Sequence, residues 1–360
     1  MKALKWALCL LSLFAANLNA QTQVNAYQPG ITPEGITYFL PKARICIAVE
    51  ATCTKHVPGE YADYAKAYLR LNDVALTPWD EWKITKITLI PYGTADTKQA
   101  YTIKLNPKTS APFVSLTSDG RLLAINAQVA DTVTLPQPSV TPIPTKQIVG
   151  NNFKTEAILS AGSKAKMAEL AASEIYDIRE NRSLLIKGQA EFMPKDGEQL
   201  KLMLASLDEQ EEGLLSLFSG TTTMEKHVVV KDVELSGELN KFPLFAFSRY
   251  LGFIDADDPA GEPFTLSVTD LHSLPAVTET PGAKPKKEKE DLRHIVPGKA
   301  NIKLWKGDEE MHSLTLALPC FGRVEHLGGE LFNKRMTTVV LDPLNGGIRQ
   351  IHADTAQCRN

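Results

Sequence analysis

The sequence predicts an α+β protein, β-rich, in which antiparallel sheets accompany two long amphipathic helices in a central domain. Three observations carry this. Short runs of period-two alternation recur along most of the chain, from ITYFL and RICIAVEATCT near its start to TTVVLD near its end. Two long stretches in the middle place apolar residues at helical spacing instead. The order of the central elements, β, α, β, α, β, β, β, lacks the regular alternation of a doubly wound sheet. With 360 residues, 43% of them hydrophobic and 22% charged, the chain has ordinary globular composition and room for two or three domains. This excludes disordered, collagen-like and disulfide-framework classes. A formal net charge of −3 excludes the basic field that would hold a nucleic-acid backbone.

The chain opens MKALKWALCLLSLFAANLNA, with Lys2 and Lys5 as a positive n-region, an apolar run from Ala7 to Ala16, and Leu18-Asn19-Ala20 before Gln21. This pattern predicts a secretory signal peptide over residues 1–20, cleaved after Ala20. The apolar run is too short for a membrane anchor, and Cys9 lies inside it rather than after it, where a lipidated cysteine would sit. Cleavage removes two lysines and no acid, so the net charge of −3 becomes −5. The sequence contains no later apolar stretch of spanning length, which predicts an exported chain without a membrane span.

Residues 21–130 read as an N-terminal β-rich domain. Alternating runs are punctuated by Gly93, Pro107 and Pro112, and Ser118-Asp119-Gly120 makes a hairpin turn between FVSLT and RLLAIN. One short helix is expected from Gly59 to Leu69, with Tyr61, Tyr64 and Tyr68 on one face; such a stripe packs on a core more often than it stacks on a sugar. Residues 131–146, with prolines at 136, 138, 142 and 144, read as a linker or extended strap.

Residues 147–273 carry the two long helices. The first follows a Ser163 cap and buries Met167, Leu170, Ala171, Ile175 and Ile178; the second opens at Pro194-Lys195-Asp196-Gly197, buries Leu200, Met203, Leu204, Leu207, Leu214, Leu215 and Phe218, and ends at Gly220. SLLIKGQAEF between them reads as a strand, and TTTMEKHVVVKDVEL, PLFAFS and PFTLSVTD follow as strands. Residues 274–292 mix prolines with lysines and acids as an exposed charged loop. Residues 293–360 are again β and too few for an independent core, so they are expected to pack on an earlier domain.

In an oxidising compartment, Cys46, Cys53, Cys320 and Cys358 would be candidates for bridges. Seven residues of extended strand place Cys46 and Cys53 about 23 Å apart, beyond bridging distance, so Cys320 with Cys358 is the favoured pair. The alternative is that several are small buried hydrophobes.

Known catalytic motifs are mostly missing from the sequence: it has no nucleophile elbow, His-Glu-x-x-His, Walker loop, dinucleotide fingerprint or Cys-x-x-Cys. Ser163-Lys164-Ala165-Lys166 matches Ser-x-x-Lys at a helix start, but the companion Ser-Asp-Asn and Lys-Thr-Gly elements are missing, and an N-cap explains the serine. His294, His312, His326 and His352 crowd the C-terminal segment without close ligand spacing. Asp255, Asp257, Asp258 and Glu262 form a weak calcium candidate on a glycine-containing loop; turn chemistry at Pro259 and Gly261 accounts for the same residues. No cofactor is implied.

Three long segments carry a resemblance: TYFLPKARICIAVEATCTKHVPGEYADYAKAYL, RENRSLLIKGQAEFMPKDGEQLKLMLASLDEQEEGLLSLFSG, and LPCFGRVEHL with VVLDPLNGGIRQI. Together they are similar to an uncharacterised family of exported Bacteroidetes proteins of about this length, a domain of unknown function. The resemblance implies a periplasmic or other cell-envelope setting and brings no catalytic residues with it. The chain departs from the family pattern at Arg70, where glycine is expected, and at Cys320, where glutamine is expected. Two function classes remain: a non-catalytic binding or assembly module whose partner is an envelope protein or a glycan, and an exported hydrolase acting on a glycan or peptide. A deep pocket of converging polar groups would favour the hydrolase.

Overall fold

The computed structural model describes residues 31–32, 35–104, 113–145, 148–276, 292–327 and 337–353. The signal-peptide segment, Cys9, Cys358 and most of the charged loop at 274–292 lie outside the described residues.

The central element is β2 (Gly35–Val57), a single strand of 23 residues. From Ala43 to Ala51 its odd positions are fully buried and form an apolar row of Ala43, Ile45, Ile47, Val49 and Ala51. Each of the larger side chains contributes about 1.5–3 kcal/mol by leaving water. Along one edge β2 pairs antiparallel with β3 (Trp79–Lys104) over nearly its whole length. Along the other it pairs with β7 (Thr221–Glu234), and β6 (Ser139–Ile143) completes that side; the two-residue β1 (Ile31–Thr32) joins the start of β2.

A second antiparallel sheet has the order β12 (Glu309–Leu327), β11 (Leu292–Lys306), β10 (Glu262–Asp270), β8 (Leu239–Ser248), β9 (Gly252–Ile254). Its Phe245, Phe264, Leu266, Ile302 and Leu304 share one core with the inward row of β2 and with Val233 and Leu235. The two sheets therefore form a sandwich. β2 and β7 share one ladder from Arg44–Glu234 to Val57–Thr221, so residues 35–57 and 221–234 lie in one sheet. Local composition does not register hydrogen bonding between segments this far apart in the chain. Part of the proline strap is itself strand β6, an edge position that tolerates Pro142.

A third sheet, β14 (Ile348–Ala353), β13 (Thr337–Leu341), β5 (Leu122–Ile125), β4 (Val114–Leu116), closes over Tyr38 and Leu40 at the start of β2. The expected Asp119-Gly120 turn lies between β4 and β5. Buried Arg121 fastens this sheet: its guanidinium binds Asp119, Asp131 and the carbonyl of Pro343.

At the opposite end of β2 sits a helical unit. A 3₁₀ turn (Ala62–Tyr64) leads into α1 (Ala65–Leu69), and after the short α2 (Glu156–Leu159) come α3 (Lys164–Lys187) and α4 (Gly197–Ser219). Ala168, Ala171, Ala172, Ile175 and Ile178 of α3 pack with Leu214, Leu217 and Phe218 of α4 and with Tyr61 and Leu69. The Ser163 hydroxyl accepts from the Lys166 N–H and the Asp196 carboxylate from the Gln199 N–H, so both long helices are N-capped. The strand expected over SLLIKGQAEF is corrected. α3 continues to Lys187 because Leu185 falls two turns after Ile178 on the buried side, and Gly188 then ends the helix at φ +68. α1 ends on Arg70 with φ 59, a left-handed cap that glycine adopts more easily.

Candidate binding cleft

The apolar alternation that builds the second sheet fails at one end. In β10 the buried Phe264, Leu266 and Val268 are in phase with Glu262, and in β11 the buried Ala300, Ile302 and Leu304 are in phase with Lys306. Glu262 lies opposite Phe247 and Lys306 opposite Phe264, so both charges occupy positions the pattern assigns to the core. They pair with each other at 2.6 Å. Glu262 is 64% and Lys306 33% exposed, so the pair stands in solvent at the mouth of the sandwich.

The facing wall comes from β3. Trp82 and Ile84 stand opposite Cys53 and Ala51 of β2, on the inward side. The Trp82 N–H donates to the Arg249 carbonyl at 2.7 Å, tying the free edge of β3 to the turn after β8, and Arg249 Nε donates to Glu81 Oε1 at 2.6 Å. Gly252, at φ +75, lies flat on the indole: a Cβ there would come within 2.7 Å of ring atoms. His227 is 4.5 Å from the Trp82 ring and Phe253 meets it edge-on.

Between these walls is an open cleft of about 980 Å³. Trp82, Ile84, Phe247, Phe264 and Met311 supply its apolar lining, and Tyr250 at its rim is 68% exposed. Its polar groups are Ser248, Lys83 and two ion pairs, Glu81 with Arg249 and Glu262 with Lys306. Its volume falls within the range of small-ligand sites, and it is open to solvent along its length. The paired charges retain free lone pairs and N–H groups that a neutral ligand could use.

Only one residue expected at a site, Glu262, reaches the cleft as a functional side chain, and its partner is Lys306 rather than a metal. Asp255, Asp257, Asp258 and Glu262 do not converge. Asp255 and Asp257 face solvent, and Asp258 accepts from the Ala260 N–H at 2.8 Å within the turn. Among the described residues, no three His, Cys, Asp or Glu side chains are placed to hold a metal ion. Of the four histidines, His294 is buried with its Nδ1 unpaired, His326 contacts Arg293, and His312 and His352 are exposed. Lys166 is ion-paired to Glu169 at 2.8 Å, which leaves Ser163 as a helix cap. Tyr61 packs edge-on against Phe218, and Tyr64 and Tyr68 stack on each other. Cys46, Cys53 and Cys320 are free thiols; burial pushes Cys46 and Cys53 above the ordinary thiol range, and Cys320 is exposed. No bridge is present among them; Cys320 with Cys358 involves a residue outside the described set.

Sequence reasoning missed Trp82, Arg249, Tyr250 and Lys306. One signal was available: Glu262 stands in phase with three apolar residues of PFTLSVTD, and Lys306 in phase with Ile302 and Leu304.

Fold and cleft together define an antiparallel β-sandwich with an open inter-sheet ligand cleft and an appended helical hairpin. The chain belongs to the family DUF4831, a domain of unknown function, whose model matches residues 34–349. Searches among curated proteins and among solved structures return no match.

Proposed function

We propose that this protein is an exported cell-envelope component of a Bacteroidetes bacterium, periplasmic or surface-placed, that acts as a non-catalytic binding module and takes an envelope protein segment or a glycan into the inter-sheet cleft. The signal-peptide pattern supports export, and no described helix is long and apolar enough to cross a membrane. The observation that carries the binding role is the Glu262–Lys306 pair in the apolar register of two adjacent strands. Local departures from a folding pattern concentrate where function requires them. Four of the charged groups of the cleft are engaged in pairs, Glu81 with Arg249 and Glu262 with Lys306, and their remaining lone pairs and N–H groups can hold a ligand.

The test is a double variant, Glu262→Leu with Lys306→Leu, which completes the alternation and removes both charges from the mouth. The pair is open to solvent, Glu262 at 64% and Lys306 at 33%, and such pairs contribute about 0–1 kcal/mol, so the variant should fold. Wild type should bind members of a glycan array or a peptide array, and the variant should lose those spots. Equal binding by both proteins, or none by wild type, rejects the cleft. Release of reducing ends or new amino termini by wild type would establish the hydrolase reading instead.

A further inference from the structure

β3 is an edge strand, and the cleft opens along its free side. It pairs only with β2, and no described strand lies along its other edge. In an antiparallel ladder the N–H and C=O of one residue point to the same edge, and successive residues alternate between edges. The Trp82 N–H points away from β2, since it donates to the Arg249 carbonyl at 2.7 Å, so the Trp82 carbonyl faces the cleft side as well. The turn after β8 thus supplies one rung of a further ladder, and from that rung β3 runs on beside the cleft through Lys83 and Ile84.

Side chains divide the two faces of this edge. Trp82 and Ile84 stand on the inward side and line the cleft with Phe247, Phe264 and Met311, whereas Lys83 and Lys86 lie opposite Thr52 and Glu50 on the outer side, both exposed. The acids of that outer side are engaged elsewhere, Glu50 with Lys226 at 2.6 Å and Glu81 with Arg249. Edge lysines guard against self-pairing, because two such edges set like charges against each other, which argues against a second copy of the chain as the occupant. A glycan is matched less well, because its hydroxyls do not alternate between two faces at strand spacing. We propose, building on the cleft reading above, that the ligand is an extended segment of a partner polypeptide. It adds to the β3 edge as a further strand, with alternate apolar side chains turned into the cleft and acidic ones set against Lys83 and Lys86. In this mode backbone hydrogen bonds to the edge supply affinity, and the surfaces that receive alternate side chains supply selectivity.

The experiment titrates the protein against fluorescein-labelled peptides of about eight residues, about 26 Å when extended, in which glutamate alternates with leucine or phenylalanine. Fluorescence anisotropy should show saturable binding at low salt. N-methylation of one alternate set of peptide amides should abolish it, and methylation of the other set should not, because only one set faces the edge of β3. Lys83→Glu with Lys86→Glu should weaken binding about tenfold, the effect of two exposed pairs turned repulsive, and a peptide with lysine in place of glutamate should recover it. Both lysines are exposed, so the fold should persist, which the melting temperature checks. Lack of binding to the alternating peptide, or equal effects of the two methylation sets, overturns the proposal. Glycan binding that Glu262→Leu with Lys306→Leu removes, without peptide binding, overturns it while the cleft reading stands; binding of neither class rejects both.

Discussion

Replacing Arg121 by methionine tests whether one buried guanidinium holds the third sheet in place. Its side chain is 7% exposed; Nε donates to Asp119 at 2.9 and 3.0 Å, Nη2 donates to Asp131 at 2.8 Å, and Nη1 donates to the Pro343 carbonyl. These partners belong to the β4–β5 turn, the strap that follows β5, and the turn after β13, so one cation joins three segments. Methionine preserves the aliphatic stem and removes every donor. Breaking a buried pair typically costs about 3–5 kcal/mol because the orphaned charge stays desolvated. Here two carboxylates are orphaned, but they are 35% and 23% exposed and partly rehydrate, and Asp119 keeps the Thr117 hydroxyl and the Ala95 N–H. The lower end, about 3 kcal/mol, is therefore expected. With an m-value of about 3 kcal/mol per molar urea, the unfolding midpoint should fall by roughly 1 M.

The control is Lys42→Met at the exposed pair with Glu234, where each side chain is 40% exposed; such pairs contribute about 0–1 kcal/mol. Equal midpoint shifts in the two variants would refute the reasoning, since burial would then not be the deciding quantity. The pH dependence gives a second readout. Burial alone would raise the Asp119 pKa, but hydrogen bonds from Thr117 and Arg121 outweigh it and hold the carboxyl below its ordinary range. A depressed folded pKa adds stability above the unfolded value, near 4, and that stability is lost as pH falls through the folded pKa. The difference between wild type and Arg121→Met should accordingly narrow in acid.

Alkylation followed by mass spectrometry should modify Cys320 faster than Cys46 or Cys53, which are enclosed in β2 and should react only on unfolding. Arg70→Gly should raise stability by a few tenths to about 1 kcal/mol in urea titrations, because it removes a left-handed non-glycine cap; a loss of stability would refute this. Burial lowers the His294 pKa, Glu325 working against it and His326 with it, so the unfolded chain binds the proton more readily. Stability should therefore fall as pH drops below about 6.5, and His294→Gln should flatten that slope. Millimolar calcium should leave the melting temperature unchanged, since Asp255, Asp257, Asp258 and Glu262 do not converge; a rise of several degrees, abolished by Asp255→Asn with Asp257→Asn, would show that they do in solution.

Local pattern was legible wherever one side of an element meets the core. In β2 the row of Ile45, Ile47 and Val49 is visible as alternation, and the starts of α3 and α4 are visible in Ser163 and Asp196. Pairing was not legible: nothing near Ile45 names Val233 as its neighbour, 188 positions away, and the proline strap reads as a linker although part of it completes a sheet. The stretch Leu184-Leu185-Ile186 misleads for a different reason. Three adjacent apolar residues read as strand, yet only Leu185 is buried, while Ile186 is exposed on the projecting tip.

The two departures from pattern differ in kind, and the difference bears on function. At the cleft, charges stand where apolar residues belong; at the hairpin tip, apolar residues stand where charges belong. The first stands at the mouth of the cleft, where solvent-exposed Glu262 pairs with Lys306. The second leaves large apolar side chains exposed among the described residues. Folding alone accounts for neither, because Leu for Glu262 or Ser for Phe192 would suit the fold at least as well. The double cleft variant should accordingly lose ligand binding while its unfolding midpoint stays close to that of wild type.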